Sequence, residues 1–321
     1  MPKIALLYPG QGSQYAGMGK DFYDEFEKIR NIYSKASELL GYSVEELCFN
    51  EDSRLDKTEY TQPAMVLTEL VMTSVVKNVL EEKGLSAEVS AGLSLGEYAA
   101  LSEAGVMELL DAVLLVSIRG KLMSECVPSG EGAMAAVLGL ERKKIDKIIE
   151  DIDGVYLAND NCPGQLVITG YKDAVEKAMN ICKENGAKRT VMLNVSGPFH
   201  SPLLEPAGIK LYEELKKISM NEPMHPYYKN TDADIQICRD GIAESLKNQV
   251  SSSVLWRETI ENMLANGIDT FIEIGPGKTL TGFMKKILKE YGANNPKAIE
   301  GITFFNIDKL EDIERINALT L

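Results

Sequence analysis

Apolar positions along this chain switch repeatedly between a continuous or period-two pattern and a helical one, and the switches alternate strands with helices. The run at 3–8 is apolar from Ile4 to Tyr8 and predicts a first strand. Further strands are expected at 89–91, 133–138, 155–159, 165–169, 188–195, 226–229, 270–274 and 303–307. Helical spacing covers 23–40, 64–83, 97–104, 111–123, 143–150 and 173–185. It returns in a stretch ending near 219, at 242–250, at 255–266, and after the turn at 275–278. The alternation predicts an α/β fold. Between 130 and 196 the order is β-α-β-β-α-β, the ferredoxin-like arrangement, and this reads as a subdomain inserted into a larger core formed by 1–129 and 197–321.

One strand-to-helix junction carries chemistry. Gly92-Leu93-Ser94-Leu95-Gly96 follows the short strand at 89–91 and opens the helix at 97–104. Gly-x-Ser-x-Gly in that setting is a nucleophile elbow: the chain doubles back so sharply that a Cβ two residues before or after the serine would clash. Ser94 Oγ would then stand above the strand end, at a helix N-terminus. A Gly-rich turn with an idle serine is the competing reading.

The first strand runs into Pro9-Gly10-Gln11-Gly12-Ser13-Gln14. A dinucleotide fingerprint would need Gly where Tyr15 stands, and a P-loop would need Ser or Thr after Gly19-Lys20, where Asp21 stands. The loop is therefore either a plain turn or a set of free N–H groups able to hold a negative oxygen. Arg119 interrupts the apolar helix at 111–123, with Leu115 and Leu122 on the same face. Such a guanidinium either snorkels to water or awaits an anion. Gly275-Pro276-Gly277-Lys278 could also bind an anion, but turn-making accounts for it.

A serine nucleophile needs a base. The chain has two histidines, His200 and His225. His225 begins a strand, whereas His200 sits in the Pro-braced loop Gly197-Pro198-Phe199-His200-Ser201-Pro202, the kind of segment that carries catalytic groups. His200 is therefore the candidate. No acid stands near it in sequence to complete an ordinary Ser-His-Asp set.

Composition narrows the setting. Apolar residues make up 45% of 321, enough for a large core. No run of 18 apolar residues offers a membrane span, and the apolar N-terminal run is too short for a signal peptide, so a cytoplasmic protein is expected. The 34 basic and 48 acidic residues give a net charge of −14, which argues against nucleic acid or an anionic membrane as partner. Five scattered cysteines read as reduced thiols, and two histidines make a zinc site improbable.

Taken together, these motifs resemble the malonyl-CoA:acyl carrier protein transacylases. The resemblance covers nearly the whole chain. It rests on Pro9 to Gln14 with Gly17-Met18-Gly19, on Gly92 to Tyr98, on Arg119-Gly120 with Met123, and on Pro163-Gly164-Gln165 with Val167-Ile168 and Gly170. Phe199-His200-Ser201, Gln249 and Gly275 to Lys278 complete it. The family implies an α/β-hydrolase-like core with a parallel sheet and the inserted ferredoxin-like subdomain, the cleft between them being the active site. It implies ping-pong transfer of a malonyl group from malonyl-CoA to the phosphopantetheine thiol of acyl carrier protein, in fatty acid elongation, by a free-standing monomer with no bound cofactor. Ser94 would be the nucleophile and His200 the base, oriented by the backbone carbonyl of Gln249. The N–H groups of Gln11 and Leu95 would form the oxyanion hole, and Arg119 would grip the malonyl carboxylate. Phe199 would narrow the pocket against a methyl branch. Most members carry His before the nucleophile; this sequence has Leu93, which leaves more of the carboxylate to Arg119. Acidic carrier proteins call for a local basic patch, for which Lys188-Arg189 is a candidate. The alternatives are a thioesterase-like acyl hydrolase, a trans-acting acyltransferase of polyketide synthesis, and a catalytically idle docking module.

Overall fold

The strand β1 (Ile4–Tyr8) lies at the middle of the larger sheet and is buried along its whole length. Its side chains alternate between two apolar clusters: Ile4, Leu6 and Tyr8 join one, Ala5 and Leu7 the other. Burial on both faces is why this strand reads as an unbroken apolar run. The computed structural model describes residues 1–128, 130–195 and 197–319; the boundaries expected at 129, 196 and 321 fall on or beside residues outside that set.

After β1 come α1 (Lys20–Glu25), α2 (Glu27–Leu40), α3 (Val44–Phe49), α4 (Thr58–Glu82), β2 (Ala87–Gly92), α5 (Gly96–Glu103) and α6 (Leu109–Glu125). The middle of the chain forms β3 (Gly132–Leu138), α7 (Arg142–Glu150), β4 (Val155–Cys162), β5 (Gln165–Tyr171), α8 (Lys172–Glu184) and β6 (Arg189–Met192). Then follow α9 (Glu205–Leu215), β7 (Tyr227–Tyr228), β8 (Ile235–Gln236), α10 (Ile242–Gln249), α11 (Trp256–Ala265), β9 (Thr270–Ile274), α12 (Thr279–Asn294), β10 (Thr303–Ile307) and α13 (Glu314–Asn317).

The larger sheet has the order β10-β9-β1-β2-β7-β8, parallel except for the two-residue β8 at its edge. The smaller has the order β4-β5-β3-β6, antiparallel throughout, with α7 and α8 packed on an apolar cluster of its own. This is the α/β class expected, with the ferredoxin-like strand order in the smaller sheet.

Several elements depart from the sequence pattern for local reasons. The helix expected at 23–40 breaks at Phe26, whose backbone is extended. Helix α4 starts at Thr58, well before Ala64: Pro63 lies in its second turn, where it gives up the bond to the Glu59 carbonyl, and the burial of the surrounding helix outweighs that loss. By length and composition α4 could cross a membrane, yet residues from every side of it are buried in the core, so it is the central core helix. Helix α3 was not expected, although Ser43 caps it by accepting from Glu46 N at 3.1 Å. The strand expected at 188–195 is paired to Met192, with one further bond from Leu193 N to Met134 O at 2.9 Å, and Leu193 and Val195 line a cavity.

Candidate active site

Because β1, β2, β7 and β9 run parallel, the loops at their C-terminal ends converge on one face of the sheet. Two of them build a serine turn. Leu93 N donates to Tyr8 O at 2.9 Å, pressing the turn after β2 against the end of β1. A Cβ on Gly92 would lie 1.9 Å from Gly96 C, and one on Gly96 would lie 2.3 Å from Tyr8 O. Both glycines are therefore required by close approach. Ser94 has φ 53°, the strained conformation of a nucleophile elbow. Asn230, just beyond β7, clamps the turn: its Oδ1 accepts from Ser94 N at 2.6 Å and its Nδ2 donates to Gly92 O at 2.7 Å.

Ser94 Oγ stands 2.7 Å from His200 Nε2. His200 Nδ1 faces two backbone carbonyls, Gln249 O at 3.0 Å and Ser252 O at 3.2 Å. Carbonyls only accept, so Nδ1 carries the proton and Nε2 presents its lone pair to the serine. Burial, helped by the positive Arg119, pulls the imidazole down to about 4, which keeps it neutral, with its Nε2 lone pair free, through physiological pH. Carbonyl oxygens thus do the orienting that a carboxylate does in a Ser-His-Asp set. His225, by contrast, pairs with Glu103 at 2.9 Å and takes no part here.

Arg119 does not snorkel: it is buried, with its guanidinium over the Tyr98 ring, 5.3 Å from the centroid. Nη1 donates to Gln62 Oε1 at 2.9 Å; Nη2 donates to Gln249 Oε1 at 3.0 Å and Ser94 Oγ at 3.2 Å. Its Nε has no partner among the described residues, and no carboxylate there lies within ion-pairing distance. Burial lowers the guanidinium from its usual range, but it remains a cation. Arg119 is thus a buried cation beside a serine, satisfied among the described residues only by neutral oxygens, and its charge is left uncompensated.

These groups line a cavity of about 330 Å³ that also includes Phe199, Leu93 and Asn161. The backbone N–H groups of Gln11 and Leu95 edge it, and neither donates to another group among the described residues. Ser94 N–H is already spent on Asn230, so it cannot serve as an oxyanion donor. The Gly275 to Lys278 loop is a turn, as expected: Glu273 fills the N-terminus of α12, accepting from Leu280 N at 2.9 Å and Thr281 N at 2.7 Å. All seven expected site residues, Gln11, Ser94, Leu95, Arg119, Phe199, His200 and Gln249, converge here. Sequence reasoning missed Gln62, Glu97 and Asn230. Two of them gave a signal: Glu97 stands in the Gly92 to Tyr98 motif, though without a role, and Gln62 is a polar residue leading into the apolar run of α4.

Comparison with known proteins places this geometry. Residues 5–314 match the model of the acyl transferase domain family. The chain is 43% identical over 308 residues to a malonyl CoA-acyl carrier protein transacylase of Bacillus subtilis, covering 94% of this chain and 96% of that protein. It is 40% identical to one of Escherichia coli over 306 residues, covering 93% and 98%. The crystal structure of a malonyl CoA-acyl carrier protein transacylase from Clostridium perfringens superposes with a TM-score of 0.89 at 43% identity, over 98% of this chain and 96% of that one. A structure of a type II PKS acyl-carrier protein in complex with its malonyl-transacylase superposes at 0.88 with 37% identity, over 97% and 98%.

Proposed function

The chain belongs to the acyl transferase domain family, and we propose that it carries malonyl groups from malonyl-CoA to the phosphopantetheine thiol of acyl carrier protein through a malonyl-serine intermediate. The observation that carries this reading is the buried, carboxylate-free Arg119 donating to the same Ser94 Oγ that His200 Nε2 engages. A thioester cleft needs only the serine and histidine; the arginine adds selection for an acyl group with its own carboxylate.

In the first half-reaction His200 Nε2 takes the Ser94 proton as Oγ attacks the thioester carbonyl. The N–H groups of Gln11 and Leu95 receive the oxyanion, and Arg119 holds the far carboxylate. Collapse expels the CoA thiolate, which takes the proton from His200. In the second half-reaction His200 takes the proton of the carrier's thiol, the thiolate attacks malonyl-Ser94, and Ser94 leaves with that proton. In each half-reaction His200 passes one proton from the attacking group to the leaving group and ends neutral, and no bound cofactor is required. Leu93, where most relatives would place His, offers the carboxylate no donor and leaves Arg119 as its principal anchor.

The reading extends to a division of labour between residues 1–129 with 197–321, carrying the chemistry, and 130–196, closing the cleft. It places a monomeric enzyme in the cytoplasm, supplying fatty acid elongation. Mass spectrometry after exposure to malonyl-CoA tests it: the peptide holding Ser94 should gain a malonyl group that persists in water and is discharged by holo-carrier protein. Loss of the group to water at a rate indifferent to carrier protein would make the enzyme a hydrolase. Discharge by a polyketide carrier in preference to a fatty acid carrier would move the same transfer to the other pathway.

A further inference from the structure

Behind the nucleophile, Glu97, Gln249 and Asn230 are buried together, and the transfer mechanism uses only the backbone of Gln249. The side-chain amide of Gln249 has three partners. Its Nε2 donates to Ser94 O and to Glu97 Oε2, each at 2.8 Å, and its Oε1 accepts from Arg119 Nη2 at 3.0 Å. The orientation is forced. Reversed, the amide would set N–H groups against a guanidinium that only donates, and an oxygen against a carbonyl and a carboxyl that accept. Glu97 is itself tied to the serine turn, because its Oε2 also accepts from the backbone N–H of Asn230 at 3.2 Å.

We infer that Glu97 is a positioning residue: by accepting from Gln249 it points that amide's oxygen at Arg119, and so aims the guanidinium at the donor's carboxylate while leaving its charge unspent. The inference rests on the malonyl-transfer reading. Its physical basis is insulation. Arg119 needs fixed acceptors to stay in one place within an apolar surround, but a carboxylate in direct contact would neutralise it and compete with the substrate. Gln62 and Gln249 supply neutral acceptors instead. Glu97 holds one of them from behind, one side chain removed from the cation. Its burial pushes its carboxyl up to about 7, so it carries only part of a charge at neutral pH. Its Oε1 has no partner, so Oε2 can serve as the acceptor in either protonation state.

The test measures kcat/KM for malonyl-CoA and for acetyl-CoA, which has no carboxylate to place, in wild type, Glu97→Gln, Glu97→Met and Arg119→Ala. Glu97→Gln keeps an acceptor oxygen for Gln249 and Asn230 and puts its NH₂ where Oε1 has no partner, so its malonyl-to-acetyl ratio should stay near wild type. Glu97→Met keeps the volume and loses the acceptor. Its ratio should fall roughly 10- to 100-fold, the range for losing a hydrogen bond to a charged group, with the loss mainly in KM for malonyl-CoA. A merely structural role would lower both activities together and leave the ratio alone. An unchanged ratio in Glu97→Met, or an equal fall in Glu97→Gln, overturns the inference. Should Glu97→Met fail to fold, Gln249→Leu decides alike, since it removes the amide and keeps the carbonyl that faces His200; an unchanged ratio there also overturns it. Arg119→Ala separates the two levels. If its ratio does not fall, the malonyl reading has failed; if it falls while the Glu97 and Gln249 variants keep theirs, only this inference has.

Discussion

Ser94 Oγ and His200 Nε2 meet at 2.7 Å, and both residues hold their backbones in the left-handed region, at φ 53° and 60°. That conformation costs a non-glycine residue about 1–3 kcal/mol, and it persists only where the surroundings over-determine it. Asn230 and the two elbow glycines do so for Ser94; for His200 the Val250 carbonyl accepts its N–H at 3.2 Å, and Ser201 Oγ braces Pro198 O at 2.6 Å. The strain places two reactive atoms in contact without a carboxylate behind the histidine.

Ser94→Ala should therefore form no acyl adduct with malonyl-CoA, with a melting temperature close to wild type because the clamp to its backbone N–H remains. His200→Ala should slow acylation by at least about 10²–10⁴-fold. An adduct on Ser94→Ala, seen by mass spectrometry, would sink the nucleophile assignment.

The pH dependence of acylation follows from the His200 imidazole being pulled down to about 4 by burial and Arg119. The base stays unprotonated well below pH 6.5, so the acid limb of kcat/KM should not fall with the usual histidine value of about 6.5. The same shift destabilises the fold in acid: between pH 6.5 and 4 the unfolded chain binds the proton that the folded one refuses. Stability should decline over that window, and less so in His200→Gln, as thermal melts at pH 7 and pH 5 would show.

His225 provides a contrasting case. Burial opposes its charge, but the Glu103 carboxylate outweighs burial and raises it above the usual value. Glu103 likewise overcomes its own burial through His225 and Lys77, and comes down. A raised histidine contributes stability that is full below about pH 6.5 and is lost as pH rises through the folded value. His225→Gln should thus lower stability at pH 6 by about 1.5–3 kcal/mol, the range for a charged hydrogen bond, with the gap to wild type narrowing by pH 9. Transfer activity should be unaffected. A pH-independent gap would remove the ion pair as its cause.

How much of this was legible beforehand depended on whether the signal was local. The elbow was, because its glycines flank Ser94 at a fixed spacing; Gly92 answers to Gly96 within five residues, although the approach that bars a side chain at Gly96 comes from Tyr8 on β1. Arg119 declared itself by helical spacing, yet spacing could not say whether it snorkels; that required Gln62 and Gln249, which approach from α4 and α10. Glu97 looked like an ordinary first-turn acid, and Asn230 like a residue just past a strand. Their roles exist only because parallel strands bring β2 and β7 side by side. Pro63 hid the first turn of α4, since a proline marks a helix start as readily as it lies just inside one.

Phe199 is buried and lines the same cavity as Ser94, and its ring is expected to narrow the space for a branched acyl group. Methylmalonyl-CoA should be a poorer donor than malonyl-CoA by about 1–3 kcal/mol, one methyl in a tight pocket. Phe199→Ala should reduce that discrimination. Equal kcat/KM for the two donors in wild type would contradict the role.

Lys188 and Arg189 are exposed, Arg189 opening β6 at the edge of the smaller sheet. On a chain of net charge −14, docking of an acidic carrier protein requires a local positive patch. Reversing both charges should raise KM for carrier protein and leave KM for malonyl-CoA unchanged. An unchanged carrier KM would take these residues off the docking surface.

The most discriminating substitution is Arg119→Ala. The guanidinium is buried, touches Ser94 Oγ at 3.2 Å, and is met only by amide and hydroxyl oxygens among the described residues. Breaking a buried charge pair from one side costs about 3–5 kcal/mol. Leu93 offers no side-chain hydrogen bond, and among the described residues that line the cavity no other lysine or arginine stands ready to replace the lost charge for a malonyl group. The variant should lose malonyl transfer by at least about 10²-fold, at roughly 1.4 kcal/mol per decade. Acetyl transfer should be kept or even gain, because an acetyl group has no carboxylate to desolvate and Ser94, His200 and the Gln11 and Leu95 N–H groups are untouched. If Arg119 served only to pack its stem against Tyr98, malonyl and acetyl activities would fall together, in step with the melting temperature. The measurement is the ratio of malonyl to acetyl kcat/KM in both proteins, at a temperature where both are folded. A ratio unmoved by the substitution would reject Arg119 as the carboxylate's anchor and leave its buried charge without a substrate.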